Sequence, residues 1–348
     1  MSFSIIEGQY CRDILDQPRA LRETVAGLVA DPEINRVADR LRGGDFGRIV
    51  LTGMGASYFA LHPLRLALGQ LGHTPVMVET SELIHHEAYL LTPRTLVIAV
   101  SQSGRSAETV RLLDRNQRQA TIVGVTNHPD SPLATDSNAV ILTKAGEEYS
   151  VSCKTYVSTL VALHWLSSIF AAADLTAAHR ELESIAPAVE GYVSPWKSHV
   201  QKLAGRLKNI KDMFLVGRGS SLAVVGTGAL TIKESDHFHA EGMSSAAFRH
   251  GPFEMLTEDI FVLVFAGDAQ KTRDLNCGLL RDLKKFGARC AWVGEDAADA
   301  ELCLPVVIPA LKPVVEILPV QMITLALAAN EDREAGKFVH LTKVTTVE

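Results

Sequence analysis

The sequence predicts an α/β protein made of two similar domains, each a parallel sheet with helices on both faces. Three observations carry that prediction. Apolar runs alternate with helix-like segments, and the runs are continuous rather than every second residue, as in strands buried on both sides. A G-x-G-x-S turn follows a strand-like run twice, at Gly53–Ser57 and Gly217–Ser221, 164 residues apart. That spacing is one domain length and points to an internal duplication. The 348 residues, 47% of them hydrophobic, suffice for two cores.

The elements follow in order. Segments Ala20–Ala30 and Ile34–Leu41 have helical apolar spacing and form a helical lead-in over residues 1–45. The first domain is expected over 46–175. Its strands are Arg48–Thr52, Pro75–Glu79, Thr95–Val100, Ala120–Val125 and Ala139–Leu142, with Tyr58–Leu71 a helix after the first turn. Residues 176–210 read as a charged helical connection rather than a Gly/Pro-rich linker. The second domain is expected over 211–335, with strands at Met213–Val216, Phe261–Phe265, Cys290–Val293 and Pro305–Ile308. Residues 336–348 form a tail.

Composition excludes several classes. A net charge of -6 without a basic block argues against nucleic acid, whose backbone needs a concentrated positive face. Five cysteines without C-x-x-C spacing fit a reduced, cytoplasmic protein without structural disulfides or zinc. Met1–Asp13 has no signal-peptide pattern. Tyr156–Ala173 is uncharged but carries Ser158, Thr159, His164, Ser167 and Ser168, so it reads as an interior helix, not a membrane span.

The most informative motif is Ser101-Gln102-Ser103-Gly104-Arg105-Ser106, directly after the strand Thr95–Val100. A strand that ends in three hydroxyls and a glycine and then opens a helix can hold a phosphate. The helix N-terminus offers unpaired N–H groups and partial positive charge. Gly104 permits close backbone approach. Gly55, Ala56 and Ser57 are expected to form one wall of the same site, at the carboxyl end of a neighbouring strand. A dinucleotide fingerprint is not supported, because its third glycine falls on Tyr58 in the first turn and Leu222 in the second.

A chemical set stands in the second half and tail: Glu234, His250 before Gly251-Pro252, and Lys343. A glutamate, a histidine and a lysine suffice to open a sugar ring, move a proton between adjacent carbons and stabilise an oxyanion or form an imine. Each also has a plain structural reading: a solvated helix residue, a turn hydrogen bond and a tail charge. His237, His239 and Glu241 alternate along an extended segment, but no further ligand cluster is visible, so neither metal nor cofactor is expected.

Together these stretches carry a resemblance. The motifs Gly53–Tyr58, Ser101–Ser106, Ala145–Glu148, Ser152–Thr155, Gly217–Gly219, Lys233-Glu234, His239–Glu241, Phe248–Pro252 and Lys343–Thr345 occur in the order found in tandem sugar isomerase (SIS) domains. The chain resembles the isomerase half of glucosamine-6-phosphate synthases and the SIS-type glucosamine-6-phosphate deaminases. The resemblance implies two flavodoxin-like three-layer domains and a tail that closes over the active site. It implies that Ser57, Ser101, Gln102, Ser103 and Ser106, with Gly55 and Ala56, bind a sugar 6-phosphate, and that Ser152 contacts the sugar. It implies that Glu234 moves a proton between C1 and C2, that His250 opens the ring from a neighbouring subunit, and that Lys343 meets the open-chain carbonyl. A homodimer with shared active sites follows.

The implied activity is an aldose–ketose isomerase or deaminase acting on a hexose or amino sugar 6-phosphate, without glutaminase activity, since no nucleophilic Cys stands at position 1 or 2. The alternatives are a fructosamine-6-phosphate deglycase and a non-catalytic sugar-phosphate-binding protein. Three departures bear on the choice. Thr231 stands where the synthases carry a lysine, and Ala56 where a hydroxyl is common. Arg105 is shared with the deaminases.

Overall fold

The computed structural model describes residues 3–340 and 342–345; Met1, Ser2, Leu341 and the end of the tail, Thr346–Glu348, lie outside the described residues. The chain forms two compact units. One comprises Arg19–Glu148, Lys154–Ser184 and the tail beyond residue 340. The other comprises the chain up to Pro18, Tyr149–Cys153 and Ile185–His340. The first 45 residues therefore divide between them.

The first unit is built on five parallel strands: β1 Arg48–Gly53, β2 Val76–Glu79, β3 Thr95–Val100, β4 Thr121–Thr126 and β5 Ala139–Leu142. Their order is β2-β1-β3-β4-β5. Every residue of β3 and β4 is buried, which is why these runs are apolar throughout. Val50, Val97, Ile122, Leu83 and Leu112 form a core on one face. Each such side chain contributes about 1.5–3 kcal/mol by leaving water. The helix Lys154–Phe170 is buried along nearly its whole length, as expected for an interior helix. The expected single helix at Tyr58–Leu71 is two, Gly55–Phe59 and His62–Gln70. Pro63 sits in the first turn of the second, where its missing N–H costs no hydrogen bond.

The second unit has four parallel strands: β6 Asp212–Gly217, β7 His239–Ser244, β8 Ile260–Phe265 and β9 Arg289–Val293, in the order β7-β6-β8-β9. Phe214, Val262, Val264, Phe248 and Leu279 pack as one core. The edge strand β7 has no apolar run, because most of it is exposed or half-buried. The strand expected at Pro305–Ile308 does not form. Only Cys303 makes an isolated parallel bridge, to Gly294, and Pro305 lacks the N–H to extend it. The helix Lys312–Asn330 lies in a stretch long and apolar enough to cross a membrane, and 89% of an 18-residue window of it is buried within the protein.

In each unit one strand is flanked by two later ones, β1 by β2 and β3, and β6 by β7 and β8. The crossovers thus leave in opposite directions from β1 and from β6. Ligands of open α/β sheets bind at such switch points, outside the carboxyl ends of the strands.

Candidate functional site

The first switch point lies between β1 and β3, whose last residues, Gly53 and Val100, are in register. The chain after β1 is Met54–Ser57 and the chain after β3 is Ser101–Ser106. The expected phosphate residues Gly55, Ala56, Ser57, Ser101, Gln102, Ser103 and Ser106 are therefore brought to neighbouring strand ends. Gly53 is required there. A Cβ on it would lie 3.0 Å from Tyr58 N, from Ser57 C and from the Val100 carbonyl oxygen.

The serine turn is held by its own hydrogen bonds. Ser101 Oγ accepts from the Gly104 N–H at 3.1 Å, and Ser103 Oγ accepts from the Arg105 N–H at 3.2 Å. Both serines are buried. Gly104 adopts φ 61°, and a Cβ there would collide with the Ser131 side chain. Ser106 is the N-cap of the ten-residue helix Ala107–Asn116: its Oγ lies 3.4 Å from the Thr109 N–H and 2.8 Å from Thr109 Oγ1. The Gln102 amide nitrogen is 3.5 Å from His128 Nε2, and the Gln102 carbonyl accepts from Asn127 N at 3.1 Å. Arg105 turns away to pair with Asp130 at 2.8 Å. A serine has one O–H proton. Where its oxygen already accepts from an N–H, that proton remains available for an anion.

Lys343 belongs to the same unit. Its Nζ lies 2.5 Å from Glu148 Oε2, a carboxylate whose side chain is 0% exposed. Glu148 also accepts from Thr155 N at 3.0 Å and Thr155 Oγ1 at 2.7 Å, in the first turn of the helix Lys154–Phe170. Two residues beyond Lys343, the Thr345 carbonyl accepts from the Ala107 N–H at 3.1 Å. Glu148 was not among the expected site residues. The available signal was an acid just ahead of a helix, a position favoured by the helix dipole.

The remaining expected residues lie in the second unit. Glu234 is half-buried in the last turn of the helix Leu222–Asp236. Burial holds the nearby Tyr10 phenol well above its usual range, with Cys153 adding to the rise, a hydrogen bond to Thr324 opposing it, and Asp236 and then Glu234 contributing least. Thr231, one turn earlier, is buried. His250 is exposed and ends the short helix Ser245–Arg249, donating its N–H to the Ala247 carbonyl at 2.9 Å. Ser152 lies between the helix Lys154–Phe170 and the Ala145–Glu148 segment in sequence and is half-buried. His239 pairs with Asp212 at 2.7 Å and with Glu241 at 3.6 Å, while His237 is the left-handed cap of the helix before β7. Among the described residues no three His, Cys, Asp or Glu side chains cluster as metal ligands.

Two cavities lie elsewhere. One of about 240 Å³ is lined by Asp236, Asn330 and Arg333, the other of about 400 Å³ by Asn116, Gln117 and Asn138. Both flank the amino ends of strands, next to Ile210 before β6 and Ile122 in β4. The switch point, with its donors and strand-end glycines, is the better candidate.

A duplicated α/β chain with a donor-lined turn at a sheet switch point defines a class of small-ligand-binding proteins. Comparison with known proteins narrows it. The SIS domain model matches twice, at residues 45–168 and 206–330, and the chain belongs to the SIS domain family. The chain is 30% identical to the glutamine–fructose-6-phosphate aminotransferase (isomerizing) of Pyrococcus horikoshii, over 97% of this chain and 57% of that protein. It thus spans little more than half the length of that curated relative. Its fold matches the C-terminal domain of glucosamine-fructose-6-phosphate aminotransferase from Francisella tularensis with a TM-score of 0.84 at 20% identity, covering 97% of this chain and 100% of that one. It also matches the glucosamine-6-phosphate deaminase of Thermotoga maritima, with a TM-score of 0.77 at 18% identity, over 98% and 100% of the two chains.

Proposed function

We propose that the protein is a sugar-phosphate isomerase or deaminase that converts an amino sugar 6-phosphate of the glucosamine 6-phosphate type into fructose 6-phosphate, working as a homodimer. The observation that carries the reading is the serine turn at the first switch point. Ser101 and Ser103 keep O–H protons for an anion beside a helix N-terminus. The names of the relatives above, all acting on hexose 6-phosphates or their amino forms, support the same substrate class.

In this reading Ser57, Ser101, Gln102, Ser103 and Ser106 hold the phosphate, with Gly55 and Ala56 lining it, and Ser152 contacts the sugar. His250 moves the proton of the anomeric hydroxyl to the ring oxygen, opening the ring. Glu234 removes the proton from C2 of the open-chain amino aldose and returns it at C1, which leaves an imine at C2. Water adds to that carbon and ammonia leaves, giving the 2-ketose. The Lys343 ammonium stabilises charge on the carbonyl oxygen. The carbonyl already acidifies the neighbouring C–H bond, so the proton transfer needs no metal or redox cofactor.

Thr231 favours a second reading, a deglycase that releases an amine from fructosamine 6-phosphate. A buried hydroxyl there cannot supply an ammonium's positive charge. Proton NMR in heavy water separates the readings. Deuterium entering C1 or C2 of fructose 6-phosphate, lost in Glu234→Gln, supports the isomerase-type step. Ammonia released from glucosamine 6-phosphate selects the deaminase, and amine release from a fructosamine 6-phosphate selects the deglycase. Tight binding of all three with no turnover would sink every enzymatic version.

A further inference from the structure

We propose that Glu148 is a positioning residue. Its buried carboxylate seats the Lys343 ammonium, and through that pair docks residues 342–345 on the helix that follows the serine turn. The docking stands on geometry alone, while its consequence for turnover rests on the function proposed above.

A carboxylate with no exposed side-chain surface has to be compensated where it sits. Two of its hydrogen bonds come from Thr155, in the first turn of the helix Lys154–Phe170, where the partial positive charge favours an anion. These bonds are local, so the acid is held in place before the tail arrives. Lys343 supplies the third at 2.5 Å, with only a quarter of its side chain exposed. Such a pair is partly desolvated and less screened than a surface ion pair. A second anchor lies two residues on. The Thr345 carbonyl takes the N–H of Ala107, the first residue of the helix Ala107–Asn116, a donor with no partner inside its own helix. Side chain and backbone thus hold this short segment at two points, and a lysine with four rotatable bonds is restricted to one location.

Hydrogen–deuterium exchange on the full chain tests the docking in the C-terminal peptide. Glu148→Gln keeps an oxygen for Thr155 but loses the charge that holds Lys343. Exchange near residues 343–345 should quicken on the order of tenfold, as for a contact whose loss opens a local segment. Lys343→Met, which removes the ammonium and keeps most of the apolar stem, should do the same. The double variant should add little, because the two changes remove one interaction. Glu148→Asp should recover part of the protection. Wild-type exchange in Glu148→Gln, or full additivity in the double variant, would overturn the seat.

Turnover supplies the second arm. Glu148→Gln should lower kcat with KM for the sugar phosphate nearly unchanged, and Glu148→Asp should restore part of it. An unchanged kcat in a variant with a freed tail would overturn the positioning role. A native chain that turns over none of the sugar phosphates would instead overturn the functional reading and leave the exchange result standing.

Discussion

A serine-bearing turn follows β3 in the first sheet and another follows β6 in the second, and the two differ in where the serine protons go. After β3, Ser101 and Ser103 accept from backbone N–H groups of their own loop. After β6, Ser220 donates to Asp268 at 2.7 Å and Ser221 donates to Glu316 at 2.8 Å. The first turn keeps donors for an anion. The second has given its donors to two acidic side chains, Asp268 and Glu316, and keeps none for an anion. Duplication preserved strand order around β1 and β6, while a few polar residues changed which hydroxyl protons stay free at the strand ends. The comparison teaches that, between these two turns, hydroxyl donors suited to an anion remain in one half of the chain only.

The largest expected effect comes from making the first turn like the second. Ser103→Asp places a carboxylate where the phosphate is expected, and like charges at close range cost several kcal/mol. Titration calorimetry with fructose 6-phosphate should show a loss of about a hundredfold or more. Binding at native strength would refute the placement of the phosphate.

A smaller effect concerns the carboxylates of the second half. Burial, opposed by the Ser221 hydrogen bond and by Lys312 and assisted by Asp268, raises Glu316 to about 7. Burial, opposed by Ser235 and Arg333, raises Asp236 to about 8. Both acids hold their protons more tightly folded than unfolded. Their contribution is therefore complete below the ordinary carboxylate range and is lost as pH rises through about 7 and about 8. Thermal midpoints should fall from the ordinary carboxylate range up to about pH 8, and Glu316→Gln should flatten the part below about pH 7 by about 3 kcal/mol at most. A native profile that rises through this range would contradict the buried, protonated state.

The smallest pair sharpens the contrast. Ser103→Ala should weaken phosphorylated ligands by about 1–2 kcal/mol and leave unphosphorylated fructose unchanged. Ser220→Ala should leave phosphate-ester affinity within about twofold. Equal losses for the two variants would erase the distinction between the turns, as would two phosphates bound per chain.

Much of this was legible because it is local. The strands β1, β3, β4, β6 and β8 announce themselves as apolar runs, since each is buried on both faces. Pro305–Ile308 has the same composition and no strand, for want of a neighbour and an N–H to pair. β7 showed only as an extended segment at His239 and Glu241 and not as a sheet strand, for the opposite reason: paired on one side only and largely uncovered, it has no apolar signature. The serine turn was readable because strand, hydroxyls, glycine and helix are consecutive.

By itself, the sequence determined the duplicated α/β class and marked Ser101–Ser106 as a candidate turn for an anion, because burial and helix-end polarity act over neighbouring residues. Only the tertiary structure decided which distant groups complete or cancel such a turn. Lys343 meets Glu148 across 195 positions, and Glu316 meets Ser221 across 95. No periodicity reports those distances, since they depend on how strands and helices pack and not on what lies beside each residue in the chain.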